Sequence, residues 1–243
     1  MTTFEKISIN SSSLINNSID LDIPIKNYLY CDIVNFVCPF SFYAIYSGNN
    51  TLRFVETSGP TNHDITISEG NYSATELASA IQTAINLVFP GFTITFSEIT
   101  QRFTFSNASS FNISNSAVYS TMYNVIGQPS ITPGTSTTST KNALLTRTNN
   151  IYIKSENLST KNTYLNNQLK KYIGSIPVNV NPGEFIFYSN IFEILPEKRL
   201  SQLTTNDLYT IDLELFDDND VAIDLNGNYF TLDIYCWHKT GDK

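Results

Sequence analysis

Apolar residues recur along this chain at two spacings, and the spacings divide it into elements. Through 27–36 the run Asn-Tyr-Leu-Tyr-Cys-Asp-Ile-Val-Asn-Phe carries Tyr, Ile, Val and Phe without helix-favouring residues, and 40–46 and 51–56 continue in the same style. These segments predict three strands, with Gly48-Asn-Asn as the turn between the last two. A different spacing follows. His63-Asp-Ile-Thr-Ile-Ser alternates as a strand does, and Ser73-Ala-Thr-Glu then opens a helix as a capping box, in which Ser73 accepts from the Glu76 N–H while Glu76 reaches back. Leu77, Ala80, Ile81, Ala84, Ile85 and Val88 fall on one stripe at helical spacing, so the helix is predicted to lie against a sheet. Pro90-Gly91 stops it. Phe92-Thr-Ile-Thr-Phe-Ser and Arg102-Phe-Thr-Phe-Ser alternate across a short turn, a hairpin able to carry the helix.

The segment 116–127 predicts a short helix ending at Gly127, and 128–140 is a Pro/Gly/Ser/Thr tract read as an exposed loop too polar to pack. Strand patterns return at 150–155, 169–180, 184–188, 207–216 and 229–237. Pro182-Gly183, Asp217-Asp-Asn-Asp and Leu225-Asn-Gly-Asn mark the turns between them. Residues 1–26 are polar and repetitive and predict a flexible N-terminal arm. The resulting expectation is a mainly β protein: a β-sandwich of jelly-roll or related Greek-key type from 27–61 and 148–243, interrupted by a small strand-helix-hairpin domain at 62–147.

Composition sharpens this picture. With 14 Tyr and 16 Phe in 243 residues, the chain holds far too much apolar surface to stay disordered. The formal net charge of -8, without a run of Lys or Arg, argues against direct nucleic-acid binding. No apolar run approaches ~18 residues and the first residues lack a signal-peptide layout, so no membrane span and synthesis in a cytoplasm are expected. Cys31, Cys38 and Cys236 are odd in number and sit in apolar runs, which reads as three reduced core thiols. Asn-x-Ser/Thr sequons such as Asn16, Asn71, Asn107 and Asn157 arise by chance in so Asn- and Ser-rich a chain.

Candidate chemistry is sparse. His63 and His238 are the only histidines, so any Ser-His-Asp or Cys-His set must use one of them, and no G-x-S-x-G elbow accompanies either. Cys236 and His238, two apart, need Cys31 or Cys38 to reach three soft metal ligands, which is a weak pattern. Asp217, Asp218, Asp220 and Asp224 crowd one turn but lack the glycine and glutamate of an EF-hand loop, and read as a solvated hairpin tip. Glu193 and Glu197 flank Pro196 without an apolar pocket signature, and Gly70, Gly127 and Gly183 are isolated rather than phosphate-cradling. The expectation is no enzyme activity, no catalytic residues, no metal and no cofactor. A carbohydrate- or receptor-binding β-sandwich remains an alternative, motivated by the Tyr, Phe and Asn content and the tract at 128–140.

Taken in order, several segments resemble the penton (vertex) proteins of virophages and polinton-like viruses, in the lineage that includes adenovirus and the large DNA viruses. The first match is Ile65-Thr-Ile-Ser-Glu-Gly-Asn-Tyr-Ser-Ala-Thr-Glu-Leu-Ala with the helix after it, followed by Phe92-Thr-Ile-Thr-Phe and Arg102-Phe-Thr-Phe-Ser. Later come Ile151-Tyr-Ile-Lys-Ser, Ile173-Gly-Ser-Ile-Pro-Val, Ile211-Asp-Leu-Glu-Leu-Phe-Asp-Asp and Ile223-Asp-Leu-Asn-Gly-Asn-Tyr-Phe-Thr-Leu-Asp-Ile. The resemblance implies a virion protein with a single jelly roll standing perpendicular to an icosahedral shell. It further implies a homopentamer at each fivefold vertex, with the insertion facing outward as a place for a host receptor or a fibre. Implied partners are a major capsid protein of the double jelly-roll, hexon type and minor capsid proteins. No catalytic residues carry over.

Overall fold

In a computed structural model, residues 2–59, 61–158, 163–165, 168–190 and 206–239 are described. The chain divides into two units, Met1–Phe42 with Thr148–Lys243, and Tyr43–Arg147.

The first unit holds strands β1 (Thr2–Asn10), β2 (Ser18–Pro39), β8 (Asn150–Lys154), β9 (Thr163–Leu165), β10 (Gln168–Lys170), β11 (Tyr172–Pro177), β12 (Phe185–Ser189), β13 (Asn206–Asp212), β14 (Glu214–Phe216) and β15 (Thr231–Lys239). All pairings are antiparallel. One sheet runs β1-β15-β2-β12, with β13 also on β2, and a second runs β11-β8-β14. Phe36, Cys38, Leu232, Ile234 and Cys236 of the first sheet and Ile151, Ile153, Ile176 and Leu215 of the second share one buried cluster, so the sheets face each other as a sandwich. The chain passes from one sheet to the other at Leu213, buried between β13 and β14, whose N–H donates to the Asn17 carbonyl.

Chain length forces a bend in β2. Asn10 lies two strands from Val37, through Thr231, and reaches Ser18 in eight residue steps. Ser18 is therefore within about 40 Å of Val37, whereas a straight strand would separate them by ~60 Å. The bend shows in the register: β2 advances from Asp20 to Ile25 while β13 steps back only from Thr210 to Leu208. Just beyond, Asn27 has a φ of 53°, the left-handed region that asparagine tolerates.

The second unit holds β3 (Thr51–Glu56), β4 (Thr61–Thr66), α1 (Ala74–Val88), β5 (Thr93–Ser97), β6 (Arg102–Ile113) and β7 (Gly134–Thr138), in the sheet order β4-β3-β6-β5 with β7 also on β6. The capping box of α1 forms as predicted, with Ser73 Oγ accepting from the Glu76 N–H and Glu76 Oε2 accepting from the Ser73 N–H at 2.8 Å. Leu77, Ala78, Ile81 and Ile85 of the helix join Phe54, Phe103, Phe105 and Ile113 in this unit's core. Ala80 and Ala84 pack at its margin, and Val88 lies on the exposed side.

Several sequence expectations are corrected. Residues 2–10 form an edge strand in full register with β15 instead of a flexible arm, because Ile7 and Ile9 find their packing partners some 230 residues away. The unit boundary falls at 42/43, not 61/62, since β3 pairs with β4 and β6. Residues 40–46 make a single bridge, Ile45 to Gly70, and no strand. The segment 116–127 yields turns and a 3-10 turn at Thr121–Tyr123. The tract 128–140 is not a loose loop: β7 pairs with β6, and Thr137 and Ser139 are buried because their hydroxyls donate to the carbonyls of Ser130 and Ile126.

Candidate assembly surface

The residues singled out for chemistry do not converge. His63 stacks on Phe89 at 4.6 Å, and the Glu56 carboxylate stands 3.7 Å from its Nε2, too long for a hydrogen bond. His238 Nε2 lies 3.1 Å from Thr3 Oγ1 and 3.7 Å from Glu5, holding β1 to β15. All three cysteines are buried thiols, Cys31 and Cys236 directly opposite each other on β2 and β15. Burial pushes the Cys38 thiol up to about 12 and raises that of Cys236, to which Cys31 and Glu5 add. Such groups are poor nucleophiles and poor metal ligands, since both tasks need the thiolate. Among the described residues no cluster of three or more His, Cys, Asp or Glu is placed to hold a metal ion, and no helix is long and apolar enough to cross a membrane.

The acidic turn is structural rather than a solvated tip. Asp217 is completely buried and its Oδ1 accepts from the N–H groups of Asn219 and Val221 at 2.9 and 3.0 Å. Asp218 accepts from the Asn149 N–H, Asp220 from the Tyr172 hydroxyl, and Asp224 from the Asn226 N–H. Each carboxylate is aimed at its own donor, which keeps the four apart. Glu193 and Glu197 lie outside the described residues.

The surface with unusual chemistry is the outward face of the first sheet. Alternation puts Ile9, Phe36, Cys38, Ile186, Leu232 and Ile234 inside, and the residues between them outside. A polar ladder crosses the middle of this face. Ser189 Oγ donates to Asn35 Oδ1 at 2.8 Å, Asn35 Nδ2 donates to Asp233 Oδ2 at 3.0 Å, and Lys6 Nζ pairs with the same carboxylate at 3.0 Å. Burial pushes the Asp233 carboxyl up, but hydrogen bonds from Asn35, Ser8 and Lys6 outweigh it and leave the group below the usual range. Aromatic groups flank the ladder. Phe185 and Phe187, 55% and 68% exposed, stand beside Val37 on one side. On the other, Phe4 packs on Tyr235 at 4.5 Å and on Trp237 at 5.0 Å. A shallow depression of about 440 Å³ opens between Val37, Phe187, Thr231 and Asp233.

On the second sheet the aromatic groups are more covered, Tyr152 and Phe216 half-buried and Tyr172 buried. Tyr152, Tyr172 and Phe216 lie side by side across β8, β11 and β14, with ring centroids 5.1 and 6.3 Å apart. Lys154 reaches over Phe216 and pairs with Glu156 and Glu214. Burial, then Asp220, raises the Tyr172 hydroxyl above its ordinary value, so it stays a proton donor.

No protein-family model matches the sequence, and no curated protein matches it. Among solved structures, the selenomethionine-labelled mavirus penton protein superposes on this chain with a TM-score of 0.52 at 12% identity, covering 97% of this chain and 99% of that one. The chain has the fold of the mavirus penton protein. The penton fold accounts for both units, because the match runs through the sandwich and the insertion alike. The architecture is thus mainly β, a jelly-roll sandwich carrying an inserted small α+β unit, as the hydrophobic pattern predicted. Sequence reasoning did not single out the outward face. Its signal was Phe-Ile-Phe-Tyr at 185–188, apolar at every position, which in an antiparallel strand marks two covered faces.

Proposed function

We propose that this chain is a structural virion protein, the penton capsomer of an icosahedral capsid, assembling as a homopentamer at the fivefold vertices. The observation that carries the reading is the end-to-end likeness to the mavirus penton protein, insertion included. The exposed rings of Phe4, Phe185 and Phe187 on the outward face of the first sheet add physical support, since permanent subunit contacts bury large and fairly apolar areas. The chain has no catalytic task in this role: its histidines, thiols and acidic turn serve packing and turn geometry. Its partners are further copies of itself and a major capsid protein of the double jelly-roll type, met in the virion after synthesis in the host cytoplasm.

A second task is compatible with the first. In the inserted unit, the Arg53 guanidinium lies 3.5 Å from the Tyr119 ring while binding Asp64 with two hydrogen bonds of 2.6 Å. Tyr119 and its neighbour Val118 remain exposed, which favours receptor or glycan recognition at that point. Electron microscopy of intact particles with a label on this chain tests the main reading: density at the fivefold vertices is the expected result, and density elsewhere refutes it. Binding of the isolated chain to cells or a glycan array, abolished by Tyr119→Ala, tests the second.

A further inference from the structure

Charge is unevenly spread along this acidic chain. Residues 99–155 hold Arg102, Lys141, Arg147 and Lys154 but no Asp or Glu, whereas the chain as a whole has a net charge of -8. Lys154 reaches Glu156 and Glu214, and Arg147 lies over the Tyr46 ring. Arg102 is different: among the described residues its guanidinium joins no ion pair, and its Nε is shut off from solvent without a hydrogen-bond partner. A donor in that state costs free energy that an acceptor from outside can return. Arg102 opens β6 opposite Ser97 of β5, and its neighbour Phe103 is buried in the core, so Arg102 belongs to the outward face of this sheet. The rest of that face consists of hydroxyls in two registered rows: Thr95, Thr104 and Thr138 form one, Thr93, Ser106 and Ser136 the other. Thr104 and Thr138 share a hydrogen bond of 3.0 Å between their Oγ1 atoms, while Thr95 and Ser136 are exposed.

We propose that the outward face of β5, β6 and β7 binds a glycan through a sugar carboxylate, which the Arg102 guanidinium takes as a fork while the rows of hydroxyls exchange hydrogen bonds with the sugar's own. Charge complementarity selects the acid: a guanidinium without a counter-ion, on strands that contain no Asp or Glu, accepts a carboxylate with no partner to displace. The number of cations selects one acidic group over many. A series of phosphates needs a series of Lys or Arg, and the net charge of -8 opposes a polyanion. The hydroxyl rows select a sugar, because they hold no aromatic ring or large apolar side chain to anchor a protein or stack on a base. Three strands about 4.8 Å apart, followed over four residues, give a flat field of roughly 10 by 14 Å, room for a short oligosaccharide. The site uses other residues than the Arg53 and Tyr119 pair and does not depend on capsid assembly.

The test is a chemical-shift titration of the full chain with sialyllactose and with methyl glucuronide, each beside its uncharged counterpart, lactose and methyl glucoside. At least one acid is expected to bind ten times or more tighter than its counterpart, with shifts on β5, β6 and β7. Arg102→Gln should weaken that binding about tenfold to a hundredfold, the worth of a charge-assisted contact. Arg102→Lys keeps the charge without the fork and should fall between. Thr138→Glu places a carboxylate on the face at an exposed position and should abolish binding, which keeps the test decisive if the Arg102 variants do not fold; the same spectra report folding. Wild type that binds neither acid, or binds acid and counterpart alike, overturns the inference, as do folded Arg102→Gln or Thr138→Glu chains that bind as wild type does. Binding lost with Tyr119→Ala but kept with Arg102→Gln also overturns it, and assigns glycan recognition to the Tyr119 point instead.

Discussion

Asp212 offers a quantitative test of how the sandwich is closed. It ends β13 one residue before the chain changes sheets, and its carboxylate accepts three hydrogen bonds from the turn after β8: Ser155 Oγ at 2.9 Å, the Glu156 N–H at 2.7 Å and the Asn157 N–H at 2.9 Å. Replacing it by alanine removes all three. The two backbone donors lie near solvent and regain water, so each loses about 0.5–1 kcal/mol. Ser155 is fully buried and, although its Oγ also accepts from the Leu158 N–H, its own proton is left unpaired at a cost of about 1–2 kcal/mol. The sum is about 3 kcal/mol, which for a chain of this size lowers Tm by roughly 6–12 °C. Asp212→Asn keeps the shape and part of the acceptor capacity and should fall about halfway. Differential scanning calorimetry of wild type, both variants, Ser155→Ala and the Asp212→Ala/Ser155→Ala pair measures the effect, with a coupling of about 1 kcal/mol expected between the two positions. An alanine variant within about 0.5 kcal/mol of wild type, or a coupling of zero, would refute this account of the sheet crossing.

Three further outcomes are expected. Asp233 has a folded-state value below that of the unfolded chain, so its stabilisation is present above about pH 4 and is lost as pH falls through the lower value; the Tm gap between wild type and Asp233→Asn should therefore narrow from pH 7 to pH 2.5, and a gap independent of pH contradicts the ladder. Ser73→Ala removes the cap of α1 and should destabilise the inserted unit by about 1 kcal/mol, seen in denaturant unfolding as a shift confined to that unit's transition. Cys31, Cys38 and Cys236 should resist a thiol reagent in the folded protein at pH 8 and react together on unfolding; rapid labelling of any one in the native state would show that the core opens there.

What could be read in the sequence was local. The Ser73–Glu76 cap, the Pro90-Gly91 stop and the 92–106 hairpin are decided by residues a few positions apart, and each appears where the pattern put it. Features that depend on distant partners were hidden. Residues 2–10 look like a loose polar arm until β15 supplies the other half of the ladder. The serines and threonines of 128–140 look unpackable until β6 pairs their backbone and carbonyls accept their hydroxyls. Position 51–56 carries an equally good strand signal for either unit, so only its neighbours β4 and β6 could assign it. The outward face was obscured for the opposite reason: a strand apolar on both sides reads as core, and the residue pattern alone does not separate a buried flank from an exposed one.

The position of β15 between β1 and β2 has a consequence for the order of events during synthesis. The inserted unit is one continuous stretch and can fold while the chain is still being made, whereas Val37 waits for Thr231 before it has a neighbour on that side. Thr231, Asp233 and Tyr235 are also the centre of the aromatic outward face. That outward face thus comes into existence only with the strand made after all the others described. Before it arrives, Phe187 stands on β12 paired with β2, while Phe4 stands on β1, whose strand partner is β15. Topology in this way makes the outward face of the first sheet the last part of the sandwich to take its shape.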